Sequence, residues 1–207
     1  MRMRNSRIHQ LFFPSFTYKT STPDIHLTFD DGPHPLSTRI ILNVLKSKNA
    51  KATFFLLGKN VQTYPAITRQ ILAEGHTIGN HSFDHPIMIL RSKRFVVDQL
   101  SKTENAIAAA TSTKPRLFRP PYGFLDQWTA KIARQMGYEI VMWTTDPADF
   151  RQSPTKQIVQ RATSSAHGGS IILLHDNDAT FDKIGEVLTG VLDHLSQRGF
   201  AFSALSS

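Results

Sequence analysis

Apolar and β-branched residues gather along this chain in short runs, and between the runs lie longer stretches in which apolar residues return every three or four positions. The short runs, residues 25–29, 52–56, 76–79, 116–118, 139–143, 170–174 and 201–203, predict strands. The longer stretches predict helices. Ile184, Val187, Leu188, Val191, Leu192 and Leu195 form one apolar stripe that Gly199 ends, and Trp128, Ile132 and Met136 form a second ended by Gly137. Ile67, Ile71 and Leu72 follow Pro65 and stop at Gly75, while Val96, Leu100 and Ile107 mark a fourth, longer helix. Stripes of this kind are what a helix buries against a core. Strands alternating with helices predict an α/β fold of parallel strands joined by crossover helices, and seven strands in this length predict a small or incomplete barrel.

At 207 residues the chain suits a single domain. Hydrophobic residues at 40% and charged residues at 19% exclude a disordered or collagen-like chain. The net charge of +8 is unevenly spread, since Arg2, Arg4, Arg7 and Lys19 all precede the first acidic residue, Asp24. A basic N-terminal arm over residues 1–23, with a hinge at 21–23, is therefore expected ahead of a folded domain over residues 24–207. Such an arm could make weak contact with an anionic surface, but no interleaving of aromatic and basic residues follows it, and nucleic-acid binding is not expected. The absence of cysteine removes disulfides, thiolate ligands and a cysteine nucleophile. Leu11-Phe12-Phe13 is broken by Pro14, short of the roughly 7–15 apolar residues of a secretory signal. With no transmembrane run visible, cytoplasmic residence is the default expectation and association with the cell envelope stays open.

The chemistry concentrates directly after the predicted strands. Asp30-Asp31 follows one strand, His81 another, then Arg119, then Asp146 and Asp149, then His175. In a parallel barrel every strand opens on the same face, so these distant clusters converge. Asp30 beside Asp31 is costly at a buried strand end unless a cation or arginine neutralises the pair, although Asp-Gly-Pro also makes an ordinary solvated turn. His81 and His85 can share one metal ion if their segment is helical or tightly looped, with Asp31 completing a set of two histidines and a carboxylate. Two such histidines are otherwise simply surface residues. Arg119, ahead of Pro120-Pro121-Tyr122-Gly123, either ends a rigid turn or holds Asp30 through paired N–H donors. His175 is either a satisfied core histidine or an acid whose pKa Asp149 raises.

Taken in order, five segments resemble the polysaccharide deacetylases of carbohydrate esterase family 4, the NodB homology domain. They are Thr28-Phe29-Asp30-Asp31-Gly32-Pro33, His81-Ser82-Phe83-Asp84-His85, Arg119-Pro120-Pro121-Tyr122-Gly123, Asp146-Pro147-Ala148-Asp149-Phe150 and Leu173-Leu174-His175, and the similarity spans residues 24–205. The resemblance implies a distorted (β/α)7 barrel and a hydrolase that removes N-acetyl groups from an amino-sugar polymer or oligosaccharide, peptidoglycan or chitin-like. It implies Asp30 as general base, His175 as general acid, Arg119 as the tether of Asp30 and Asp149 as the partner of His175. It further implies the Tyr122 backbone N–H as an oxyanion donor and Asp31, His81 and His85 as ligands of one divalent ion, zinc first, with cobalt, nickel or manganese as substitutes. An N-acetylated glycan is the implied partner. The fourth segment ends in Phe150 where the family usually has tryptophan, which puts an indole N–H in doubt. O-acetyl xylan esterases, amino-sugar deformylases and a non-catalytic carbohydrate-binding protein fit the same fold, so the glycan and the bond stay open.

Overall fold

The structure, a computed structural model, describes residues 13–206. Its strands are β1 (His26–Asp30), β2 (Ala52–Leu56), β3 (Thr77–Asn80), β4 (Leu117–Phe118), β5 (Glu139–Ile140) and β6 (Ile171–His175), all parallel and ordered β5-β4-β3-β2-β1-β6. The helices are α1 (Ser37–Ser47), α2 (Gly58–Thr63), α3 (Pro65–Ala73), α4 (Lys93–Thr111), α5 (Gln127–Gln135), α6 (Thr155–Thr163) and α7 (Ile184–Gln197).

The sheet curls until its edges meet. Beyond β5 the chain runs alongside β6, where the Thr144 N–H donates to the Ile171 carbonyl at 2.9 Å, Thr145 bridges Ile172, and the Leu173 N–H donates to the Thr145 carbonyl at 2.9 Å. This irregular join makes the expected distorted barrel.

Two predicted strands are reduced, each for a topological reason. Residues 139–143 are a strand only at Glu139–Ile140, because the following residues divide their bonds between β4, the N-terminal segment and β6: the Val141 N–H goes to Phe118 and the Met142 N–H to Thr17. Residues 201–203 make no seventh strand. Both edges of β1 are already taken by β2 and β6, so Phe202 bridges only Ile25, just ahead of the sheet.

The described part of the segment ahead of β1 packs on the domain, with Phe16 and Tyr18 buried and Thr17 bridging Val141. Arg2, Arg4 and Arg7 lie outside the described residues.

Alternation along each strand sends side chains to two cores. Leu27 and Phe29 of β1 pack outward with Ile41, Leu42 and Leu45 of α1 and the Val187–Leu195 stripe of α7. Phe55, Ile171 and Leu173 face the other way, with Met142 and Trp143. The helical stripes form as expected, and Gly75, Gly137 and Gly199 follow their helices at φ 80°, 87° and 84°. Trp128 departs from its stripe: Ile132 and Ala133 bury the face of α5, while Trp128 is 49% exposed.

Gly79 links this packing to the site. A Cβ there would lie 2.5 Å from Phe55 Cδ1, and the Arg119 guanidinium rests on the same Phe55 ring at 4.1 Å. Gly79→Ala is expected to lower the unfolding free energy by about 1–3 kcal/mol through overpacking, read as a reduced denaturant midpoint at unchanged slope.

Candidate active site

Every side chain singled out after a strand lands at the same end of the barrel. In neighbouring order, β4 delivers Arg119, β3 delivers His81, β1 delivers Asp30 and Asp31, and β6 delivers His175, with Asp30 and His175 in register across the ladder. The backbone turns sharply as it leaves the strands. Asp31, Ser82, His85, Tyr122 and Ala148 all take positive φ, between 53° and 77°. Non-glycine residues rarely do so, and such conformations persist where the surroundings fix them, commonly at functional sites.

Asp30 and Asp31 point to different partners. Buried Arg119 donates from Nη1 to Asp30 Oδ1 at 2.8 Å and to Thr28 Oγ1 at 2.7 Å. Its remaining donors go to backbone, Nη2 to the Met142 carbonyl and Nε to that of Val141. The paired grip on the carboxylate expected from sequence is therefore a single bond, because the barrel wall consumes the other donors. Asp30 Oδ2 consequently lies clear of the arginine, 3.7 Å from His81 Nε2.

Asp31 Oδ2 accepts from Asn177 Nδ2 at 2.8 Å, whereas Oδ1 is buried with no hydrogen-bond partner. That bare oxygen lies 3.6 Å from His81 Nε2 and 3.3 Å from His85 Nε2. An unpaired buried carboxylate oxygen is expensive to leave unsatisfied, and a cation removes that cost. Ligand atoms of Asp31, His81 and His85 all lie within 4.8 Å of one another, so the cluster could hold a metal ion. The histidines are presented by a loop, not a helix.

Their protonation suits the role. His81 Nδ1 meets the Arg119 carbonyl at 2.7 Å, and since a carbonyl only accepts, Nδ1 carries the proton and a neutral ring leaves Nε2 bare. Burial, aided by the charge of His81 and only partly opposed by Asp31, lowers the pKa of His85 to about 4, so the His85 ring is neutral at pH 7. Burial alone would raise the pKa of Asp31, but His81, His175, His85 and the Asn177 amide outweigh it and hold the carboxyl below its ordinary value.

His175 forms the opposite wall. Its Nδ1 donates to Asp149 Oδ1 at 2.7 Å, and its backbone N–H donates to Asp149 Oδ2 at the same distance. Burial opposes charge on the ring, yet Asp149, with Asp31 and Asp30 behind it, raises the pKa to about 9. Phe150 meets this imidazole edge to face at 5.5 Å, an apolar wall without an indole donor. Asp146 turns the chain instead, accepting from the Ala148 N–H at 2.8 Å. Tyr122, at φ 60° after two prolines, sets its ring against His85 at 4.4 Å.

Sequence reading missed the residues that hold this arrangement from behind. Asn60 Nδ2 donates to the Asp31 carbonyl at 2.7 Å. Asp176 is wholly buried, accepts from Ser37 Oγ and from Thr38 Oγ1 at 2.6 Å, and donates its N–H to the Asp30 carbonyl at 2.8 Å. Its carboxylate lies so close to Gly32 that a Cβ there would sit 2.3 Å from Oδ2. Burial lifts the pKa of Asp176 to about 6 against its hydroxyl donors. The only signal was position: Asp176 and Asn177 directly follow His175. Beside Asp31 opens a cleft of 300 Å³ lined by Pro33, His34, Asn60, Tyr64, Asn177 and Asp178, among others.

Comparisons with known proteins identify the family. A family model described as polysaccharide deacetylase matches residues 17–141. The peptidoglycan-N-acetylmuramic acid deacetylase PdaC of Bacillus subtilis is 35% identical over 182 residues, 88% of this chain and 38% of PdaC, so the chain spans well under half of that relative. A chitooligosaccharide deacetylase of Azorhizobium caulinodans is 35% identical over 193 residues, 87% of this chain and 92% of the relative. The crystal structure of the Bc1960 peptidoglycan N-acetylglucosamine deacetylase in complex with 4-naphthalen-1-yl-N-oxidanyl-benzamide superposes with a TM-score of 0.87 at 32% identity, covering 92% of this chain and 91% of that one. By its sequence match, its barrel and the convergence of its five strand-end segments, the chain belongs to the polysaccharide deacetylase family, carbohydrate esterase family 4.

Proposed function

We propose that this chain hydrolyses the N-acetyl group of an amino sugar in a peptidoglycan or chitin-like glycan, releasing acetate and a free amine. One observation carries the reading: Asp31 Oδ1, buried and unpartnered, faces the Nε2 atoms of His81 and His85, with a second carboxylate and a charged histidine on either side.

An amide resists water because its carbonyl is a weak electrophile and its amine a poor leaving group. Asp31, His81 and His85 would hold a divalent ion, zinc first and cobalt, nickel or manganese as substitutes, which when bound supplies Lewis acidity to the carbonyl and acidifies water at the site. Asp30, its Oδ1 fixed by Arg119, accepts the water proton at Oδ2 as the water oxygen bonds to the acetyl carbon. The Tyr122 N–H stabilises the oxyanion, its place fixed by the left-handed turn. His175, kept charged by Asp149, gives the proton at Nε2 to the departing nitrogen as the C–N bond breaks. The cleft beside Asp31 offers amide and tyrosine groups to the sugar, and Phe150 closes the acyl side.

Asp30→Asn is expected to lower kcat by roughly 10²- to 10⁴-fold in an assay of acetate release from acetylated glycan oligosaccharides. Chelation should abolish turnover and added zinc restore it; wild-type rates in either case would reject the assignment, and formate in place of acetate would move it to deformylation. Asn177→Ala frees Asp31 Oδ2, and zinc affinity by competition titration should fall about 10- to 100-fold. His175 acts only while protonated, so activity declines as pH rises through its pKa. In Asp149→Asn burial remains and the charge opposing it is gone, so the alkaline limb of kcat should move to lower pH and kcat fall roughly 10²-fold.

A further inference from the structure

Leu90 is 90% exposed, the highest value for a large apolar side chain among the described residues, and it sits at φ 55°, where a leucine is disfavoured. It buries nothing and relaxes nothing, so the fold itself gains nothing from leucine there. Ile87, on the same loop after β3, is 51% exposed, and Trp128, in the first turn of α5, is 49% exposed. The loop and the helix are stapled together: the Leu90 N–H donates to Asp126 Oδ2 at 2.8 Å, and Thr129 Oγ1 donates to the Met88 carbonyl at 2.6 Å. Three exposed apolar side chains thus stand on one rigid platform.

Exposed cations surround them. Arg91 follows Leu90 directly, its Nε donating to the Ile87 carbonyl at 2.9 Å and its guanidinium over Phe95 at 5.1 Å. Lys93 and Arg94 open α4, whose first turn holds no acidic residue, although the helix macrodipole disfavours cations at that end. Lys131 lies one turn beyond Trp128 on α5. Two nearby carboxylates are occupied, Asp126 capping α5 and Asp98 pairing with Lys102 at 2.8 Å, while Asp84 is exposed next to His85.

We infer that this platform docks the protein on an anionic lipid surface, with Ile87, Leu90 and Trp128 entering the boundary between headgroups and acyl chains and Arg91, Lys93, Arg94 and Lys131 meeting lipid phosphates. Aliphatic tips, an indole and a ring of cations together match that boundary. A neutral N-acetylated sugar could use the Trp128 face but offers nothing to four cations and two aliphatic tips. The platform stands on the face where β3 and β4 end, beside the loop that carries His81 and His85, so docking holds the site against the lipid surface. The inference is independent of which bond the site cleaves.

Co-sedimentation of the full chain with vesicles of phosphatidylcholine, alone or mixed with phosphatidylglycerol, tests it. Binding is expected to the anionic vesicles only and to weaken with salt. Leu90→Asn combined with Trp128→Ser should weaken it about tenfold, and Arg91→Ser combined with Arg94→Ser about 25-fold, at roughly fivefold per basic side chain. Asparagine suits the φ of Leu90, so folding is preserved, and turnover of a soluble oligosaccharide should be unchanged in both variants. Absence of binding to anionic vesicles would overturn the proposal. So would variants that bind like the wild type, which would locate binding in the basic N-terminal arm, or variants that keep vesicle binding and lose affinity for a glycan polymer.

Discussion

The site depends on keeping two adjacent carboxylates ionised at the buried end of one strand. Asp30 is 3% exposed and shares its backbone with Asp31, so each raises the electrostatic cost of the other. Arg119 is the permanent half of the answer. It is wholly buried, and burial presses its pKa down, but Asp30 opposes that loss and four hydrogen bonds take four of its five N–H donors. A guanidinium so enclosed cannot follow a moving carboxylate. It holds Asp30 in one place and leaves one oxygen clear.

Asp31 is met by an amide and by imidazoles instead of a guanidinium. Asn177 binds one of its oxygens, the Nε2 atoms of His81 and His85 face the other, and burial keeps His85 from holding a charge, a setting that could hold a cation. The two aspartates, identical in sequence, therefore diverge because the barrel offers arginine to one and histidines to the other. His175 completes the contrast. More deeply buried than half-buried His85, it carries the opposite charge preference because a carboxylate, Asp149, touches its Nδ1. Environment assigns the chemistry.

Much of this was legible because the clusters stand directly after apolar runs, and parallel strands bring such positions together however far apart they lie in sequence. Thr28, Asp30 and Arg119 meet for that reason. Less legible was how short the strands would be: β4 and β5 have two residues each, since the barrel is closed by irregular segments whose bonding partners depend on tertiary contacts. Trp128 was misread as core because helical spacing marks a face without saying how far the core extends over it. Asn60 and Asn177 carry no sequence signature either. An asparagine in a polar loop is ordinary, and only the folded position of Asp31 gives either its meaning.

The tripeptide His175-Asp176-Asn177 shows how the barrel links these parts. Its first residue faces Asp149, its second is driven beneath Gly32 and ties β1 to the start of α1 through Ser37 and Thr38, and its third binds Asp31. Charged imidazole, strut and tether are thus consecutive on one strand end. Because β6 is in register with β1, any shift of that end would move His175 and Asp31 together. The separation between His175 and Asp31 is then fixed by backbone hydrogen bonds instead of by flexible side chains, which is the kind of preorganisation that the proposed hydrolysis of an unreactive amide requires.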